Sequence, residues 1–277
     1  MTEIQVRTAS KDGLELIGRE WKPEGKVRGV VCLVHGIGEH TGRYPHVADA
    51  YNRAGYAVLG LDLRGHGLSG GQRGFTPGYD SLLDDIDILL GEARSRYPSL
   101  PLFFYGHSLG GNLVLYHALR RKPALAGVIA SSPSLRLAFT PPAWKTTLGH
   151  WMLNLWPSMA MSNGLDLQNL SHDASVIRAY KEDPLVHDRV TPPLGIGSID
   201  KGAWALEHAS EFNLPLLIFH GSADRLTSAE ASREFAAKVK GDCTIKIWDG
   251  LYHETHNEPQ KAEVLAFVTQ WLKAHTP

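Results

Sequence analysis

Two serines sit in the pattern Gly-x-Ser-x-Gly: Ser108 in "YGHSLGGNLVL" and Ser69 in "HGLSGGQ". A serine hydroxyl attacks an acyl carbon only when a base takes its proton, and the base needs a carboxylate to orient it. "LPLLIFHGSADRLTS" places Asp224 just past one apolar run, and "CTIKIWDGLYHETHNEP" places His253 just past the next. Serine, aspartate and histidine in that chain order, each at a strand end, is how an open α/β sheet assembles a Ser-His-Asp relay. Asp249 and Glu254 are alternative acids, and His256 is a rival base. Most of the fourteen histidines, such as His150, His208 and His275, need no role beyond surface or packing.

Context separates the two serines. Ser108 follows the apolar run "LPLFFYG" and precedes "LGGNLVLYHALRR", whose Leu113, Leu115, Tyr116 and Leu119 have helical spacing. A strand, a sharp turn and a helix form a nucleophile elbow, and Gly106 and Gly110 let strand and helix pass closely. Ser69 lies in a glycine-rich loop with no helix directly after it and reads as a plain loop serine. The oxyanion formed during acyl transfer needs preorganised donors. The Leu109 N–H at the start of the helix is one, and the Ile37 N–H in "VHGIGEHTGRY" is expected to be the other.

The elements that must hold these groups are legible as a series of short apolar runs. They span Gly29–Gly36, Tyr56–Asp62, Leu100–Gly106, Leu125–Pro133, Leu214–Gly221 and Cys243–Asp249. Continuous apolar strands imply burial on both faces, as in a parallel sheet. Helical stripes such as Leu82, Leu83, Ile86, Leu89 and Leu90, or Val264, Leu265, Val268, Trp271 and Leu272, alternate with them. An N-terminal hairpin over Ile4–Thr8 and Leu14–Trp21 turns at Asp12-Gly13. The expected fold is therefore α/β, a mostly parallel sheet flanked by helices. The alternation fails between Ser134 and about Ser210, which has no convincing strand. It holds a helical stripe of Trp144, Leu148, Trp151, Met152, Leu155 and Met159. Residues 1–133 and 211–277 thus read as two parts of one core, with 134–210 as a helical cap.

Composition bounds the rest. The chain has 277 residues, 43% of them hydrophobic, and 28 basic residues are balanced by 29 acidic ones, so electrostatic capture of nucleic acid is not expected. Cys32 and Cys243 both fall in stretches that read as buried strands and are expected to be reduced. No apolar run reaches signal-peptide length near the start, and none reaches transmembrane length, so a cytoplasmic enzyme is the expectation.

With these residues placed, the chain resembles the monoacylglycerol lipases of the α/β-hydrolase superfamily over nearly its whole length. The resemblance rests on "HGIGEHTGRY", "DLRGHGLSGG", "GHSLGG", "AYKEDPLV", "GSADRLTS" and "YHETHNE". It implies cleavage of monoacylglycerols to fatty acid and glycerol through an acyl-Ser108 intermediate, without metal or cofactor. It also implies an alcohol pocket of Glu39, Arg43, Tyr180 and His256, and gives His256 a task other than base. Glu39 and Arg43 could equally be an internal ion pair that shapes the loop. The resemblance further implies an acyl tunnel from the cap, whose Trp144, Leu148, Trp151, Met152 and Leu155 line it, meet a membrane surface or pack onto the core. Ile37 is larger than the small residue common at its position. Thr227 stands where some vertebrate members carry cysteine, so little sensitivity to thiol reagents is expected. A lysophospholipase or a carboxylesterase is the alternative within the same chemistry, and a non-catalytic binding protein lies outside it. A dehalogenase or epoxide hydrolase would need a carboxylate in place of Ser108.

Overall fold

The computed structural model describes every residue except Pro141. The N-terminal hairpin is β1 (Thr2–Ala9) and β2 (Glu15–Lys22). Then come β3 (Gly29–Val34), α1 (Pro45–Arg53), β4 (Tyr56–Leu61), α2 (Tyr79–Arg96), β5 (Leu102–His107), α3 (Leu109–Arg121) and β6 (Gly127–Ser131). After an inserted segment the chain resumes with β9 (Leu216–Gly221), α7 (Ala229–Lys238), β10 (Cys243–Trp248) and α8 (Lys261–Ala274). One eight-stranded sheet runs in the order β1-β2-β4-β3-β5-β6-β9-β10. It is parallel from β4 to β10, with β2 antiparallel to both of its neighbours.

Strand periodicity divides the apolar side chains between two cores. Val30, Cys32 and Val34 of β3, with Leu102 and Phe104 of β5, face the cluster built with α2 and α3. Val31 and Leu33, with Phe103 and Tyr105, face the cluster built with α1 and α8. Burial on both faces is why these strands read as unbroken apolar runs rather than as alternation. Each such large side chain contributes ~1.5–3 kcal/mol on leaving water. The edge strand β10 departs from that reading: it is covered only in part, Ile245 is exposed, and Cys243 is half-buried rather than buried. An outer strand has one neighbour and less helix over it, which the apolar content of "CTIKIW" does not reveal. Both cysteines are free, and burial pushes the Cys32 thiol up to about 12.

The inserted segment carries α4 (Ala143–Leu155), β7 (Met161–Ser162), α5 (Ala174–Glu182), β8 (Arg189–Val190) and α6 (Pro192–Glu207). Contrary to the sequence reading it contains strands. β7 and β8 pair antiparallel through Met161–Val190 and Ser162–Arg189. Two residues each are too short to show a period of two. The last helix of the segment packs on the core: Leu194, Ala205 and Leu206 of α6 belong to the main apolar cluster, and Asn112 of α3 donates to the Ser198 carbonyl at 3.0 Å. Among the described residues no helix is long and apolar enough to cross a membrane.

Candidate active site

The carboxyl ends of β5, β6 and β9 lie side by side in the sheet. Ser108 leaves β5 at φ 55° and ψ −115°, a left-handed conformation that a non-glycine residue adopts only under constraint from its surroundings. The constraint is visible. A Cβ at Gly106 would lie 2.2 Å from the Gly110 carbonyl oxygen, and one at Gly110 would lie 2.0 Å from that of Val34. The Ser108 N–H donates to Ser131 O at 2.9 Å, and its carbonyl accepts from Asn112 and Ser134. The hydroxyl makes no capping hydrogen bond to α3, so it is not a helix cap. Ser69 is held quite differently: its hydroxyl accepts from Ile17 N at 2.9 Å and donates to Asp62 O at 2.6 Å. It ties a loop to β2.

Beyond β9, Asp224 Oδ1 accepts from the backbone amides of Leu226 and Thr227, and Oδ2 faces His253 Nδ1 at 2.7 Å. Burial pushes the Asp224 carboxyl up, but His253 and His220 outweigh this and hold it well below the usual range. Burial lowers His253, and the charge and hydrogen bond of Asp224 more than reverse it, so its pKa is raised. The other close contact of the His253 ring, Thr227 Oγ1 at 3.3 Å, is also to Nδ1. Both contacts leave Nε2 free of them. His253 stacks obliquely against His107, the residue before Ser108, with ring centroids 4.8 Å apart, and Ser132 donates to its carbonyl at 2.8 Å. Among the described residues no hydrogen bond joins Ser108 Oγ to the His253 ring. The alternative acids are engaged elsewhere. Glu254 pairs with Arg43, and Asp249 accepts from Ser222 at the surface.

The loop after β3 is fixed from several sides. Gly36 N–H donates to Glu39 Oε1 at 2.7 Å, Thr41 N–H donates to Asp62 Oδ1 at 2.8 Å, and His187 N–H of the inserted segment donates to Gly38 O at 2.9 Å. His40 Nε2 lies 2.8 Å from Asp183 Oδ2. Among the described residues neither Ile37 N–H nor Leu109 N–H donates to a protein acceptor. The second is an unsatisfied first-turn amide of α3, where the helix dipole favours negative charge.

Glu39 and Arg43 form the internal ion pair that the sequence left open, and a third member joins it. Arg43 donates to Glu39 Oε2 and, through two nitrogens at 2.8 Å each, to both oxygens of Glu254. Tyr44 donates to Glu39 Oε1 at 2.7 Å. Burial pushes both carboxyls up, but the Arg43 charge wins and holds them low. Tyr180 lies under Arg43, with 4.6 Å from guanidinium carbon to ring centre, and its hydroxyl sits beside Gly38. The His256 ring stacks on Tyr44 with centroids 5.2 Å apart, and both its nitrogens are buried without a partner among the described residues. Burial, and then the neighbouring His107 and His46, hold it well below the ordinary imidazole value, so His256 is neutral.

Four of the five cap residues are exposed. Trp144, Leu148, Trp151 and Leu155 of α4 are 64%, 47%, 67% and 74% exposed, and Met152 is half-buried. A cavity of 410 Å³ lies between the segment 134–140, α6 and α7, lined by Leu135, Leu137, Phe139, Ile199 and Leu206 among others. None of the five, and none of Ser108, Asp224 and His253, lines it.

Two buried polar residues escaped the sequence reading. His220 shares Asp224 Oδ2 at 2.9 Å. Glu258 accepts from Tyr252 N–H at 2.7 Å and His172 N–H at 3.0 Å, binding the His253 loop to the inserted segment. The signal for His220 was a polar residue closing the apolar run "LLIFHG".

A family model described as serine aminopeptidase, S33, matches residues 25–260. A monoacylglycerol lipase of Mycolicibacterium smegmatis is 35% identical over 276 residues, covering 99% of this chain and 98% of that protein. The chain belongs to the monoacylglycerol lipase family. It is accordingly a carboxylic ester hydrolase of α/β-hydrolase fold. The solved monoacylglycerol lipase of Paleococcus ferrophilus superimposes with a TM-score of 0.84 at 34% identity, over 99% of this chain and 100% of that one. An uncharacterized abhydrolase domain-containing protein of Dictyostelium discoideum is 36% identical over 269 residues. There the match covers 96% of this chain but only 28% of the larger protein.

Proposed function

We propose that the chain hydrolyses monoacylglycerols, with Ser108 as nucleophile, His253 as general base and then acid, and Asp224 orienting the imidazole. The observation that carries this reading is the Asp224–His253 pair, its imidazole packed on His107, the residue before a serine whose backbone is held at φ 55°. His253 Nε2 takes the hydroxyl proton as Oγ attacks the ester carbon, and the Ile37 and Leu109 amides receive the oxyanion. The imidazolium then returns the proton to the leaving glycerol oxygen, and water releases the fatty acid from Ser108 by the same steps.

Glycerol hydroxyls entering a buried site need partnered donors and acceptors. The Glu39–Arg43–Glu254 network is already internally satisfied and acts as the wall of this pocket. The unpartnered nitrogens of neutral His256 and the Tyr180 hydroxyl are the groups that answer the glycerol. A choline phosphate headgroup would find no free counter-charge there. Turnover of monoacylglycerols is therefore expected to exceed that of lysophosphatidylcholine of the same acyl chain by at least about 10²-fold in kcat/KM, the size of one or two lost polar contacts. A panel of both lipids at matched chain length tests this. Equal rates would favour the lysophospholipase alternative.

The α4 face carrying Trp144, Leu148, Trp151 and Leu155 supports contact with a lipid surface, where such substrates reside. Tryptophans suit that interface because one end of the side chain is apolar and the other polar. Replacing Trp151 and Leu155 together by aspartate is expected to abolish co-sedimentation with phosphatidylcholine vesicles while leaving hydrolysis of a short water-soluble ester unchanged. Equal vesicle binding by parent and variant would remove this role.

A further inference from the structure

Asp224 carries a second imidazole that the serine relay does not use. His220, fully buried at the end of β9, places Nε2 2.9 Å from Asp224 Oδ2, the oxygen that His253 Nδ1 reaches at 2.7 Å. Its other nitrogen lies 2.8 Å from the Ser232 hydroxyl of α7, which is also fully buried. A carboxylate oxygen can only accept, so the His220 proton sits on Nε2. In the neutral ring Nδ1 then accepts from Ser232. Every polar atom of the ring is satisfied by one tautomer, which the acceptor-only carboxylate selects and the Ser232 hydroxyl meets by donating to Nδ1.

We propose that His220 is a positioning residue for the reaction, fixing the Asp224 carboxylate and sharing its charge with His253, while Ser232 anchors the far side of the His220 ring. The proposal rests on the reading of His253 as the base. A carboxylate oxygen that receives two imidazole N–H groups cannot swing away from either. A carboxylate that already receives one N–H donor also stabilises an imidazolium less than a bare one does. His220 thereby keeps the base from becoming too strongly protonated near neutral pH, where a base of matched pKa works best. The remaining groups facing this cluster are Thr227 beside Asp224, the His107 ring against His253, and Glu254 and Glu39 with their shared Arg43. None of them changes in the variants below.

The test compares His220→Leu, His220→Gln, Ser232→Ala and Ser108→Ala by kcat, KM and the pH–rate profile on a p-nitrophenyl ester, with thermal melts to confirm folding. His220→Leu is expected to lower kcat about tenfold, leave KM within about twofold, and move the acid limb up by about half a pH unit, as befits one lost hydrogen bond to a charge. His220→Gln, which keeps an N–H donor, should recover most of both. Ser232→Ala removes the anchor of the ring's far side and should move the limb the same way by less. A folded His220→Leu with the parent's profile overturns the proposal, as does a limb that moves down. So does an equal loss in the Gln variant with the limb unmoved. If His220→Leu does not fold, a parent-like acid limb in Ser232→Ala overturns it instead. An inactive Ser108→Ala beside parent-like His220 and Ser232 variants removes this proposal alone. An active Ser108→Ala removes the relay and this proposal together.

Discussion

Ser108→Ala is expected to lower kcat by about 10⁶-fold while the protein still folds and still binds substrate. Both halves of the expectation come from one structural detail. The hydroxyl contributes nothing to the cap of α3, so its loss leaves the melting temperature where it was. Had the serine been an N-cap, alanine would cost roughly 0.5–2 kcal/mol of stability and little activity. The matching change at Ser69 should do the reverse. It removes the two bonds that hold the loop to Ile17 and Asp62, so stability falls and chemistry survives. Steady-state kinetics on a p-nitrophenyl ester, with melts of the two variants side by side, checks the pair.

Asp224→Asn carries the second largest effect, roughly 10⁴-fold in kcat, because an amide no longer dictates which nitrogen of His253 bears the proton. Its pH dependence has a definite sign. The parent acts as base only when His253 is neutral, so its rate rises with pH through a value raised above the ordinary imidazole range by the Asp224 charge. Without that charge burial dominates, and the acid limb moves to lower pH even as the plateau collapses. A limb that stays in place in Asp224→Asn would assign the titration to another group, and a plateau within tenfold of the parent would make Asp224 dispensable.

The central sheet was readable because the inner parallel strands are buried on both faces and most end at a glycine-containing turn, a pattern local to six or seven residues. The order of Ser108, Asp224 and His253 was readable for the same reason, since each follows such a run directly. What escaped depends on contacts between distant parts of the chain. Arg43 joins Glu254 across 211 positions, and nothing local to either residue announces the pairing. The strands β7 and β8 are too short to have a period. His220 looked like the last residue of an apolar strand until Asp224 turned back onto it. The stripe on α4 was recognisable as apolar, but periodicity does not say whether a face meets protein, ligand or solvent, and here it faces outward.

The most direct measurement is covalent capture of the nucleophile with a fluorophosphonate, followed by peptide mapping. The account predicts one adduct per chain, on the peptide holding Ser108, with activity lost in step with labelling and none formed by Ser108→Ala. An adduct at another residue, or full activity in a chain wholly labelled at Ser108, would contradict it.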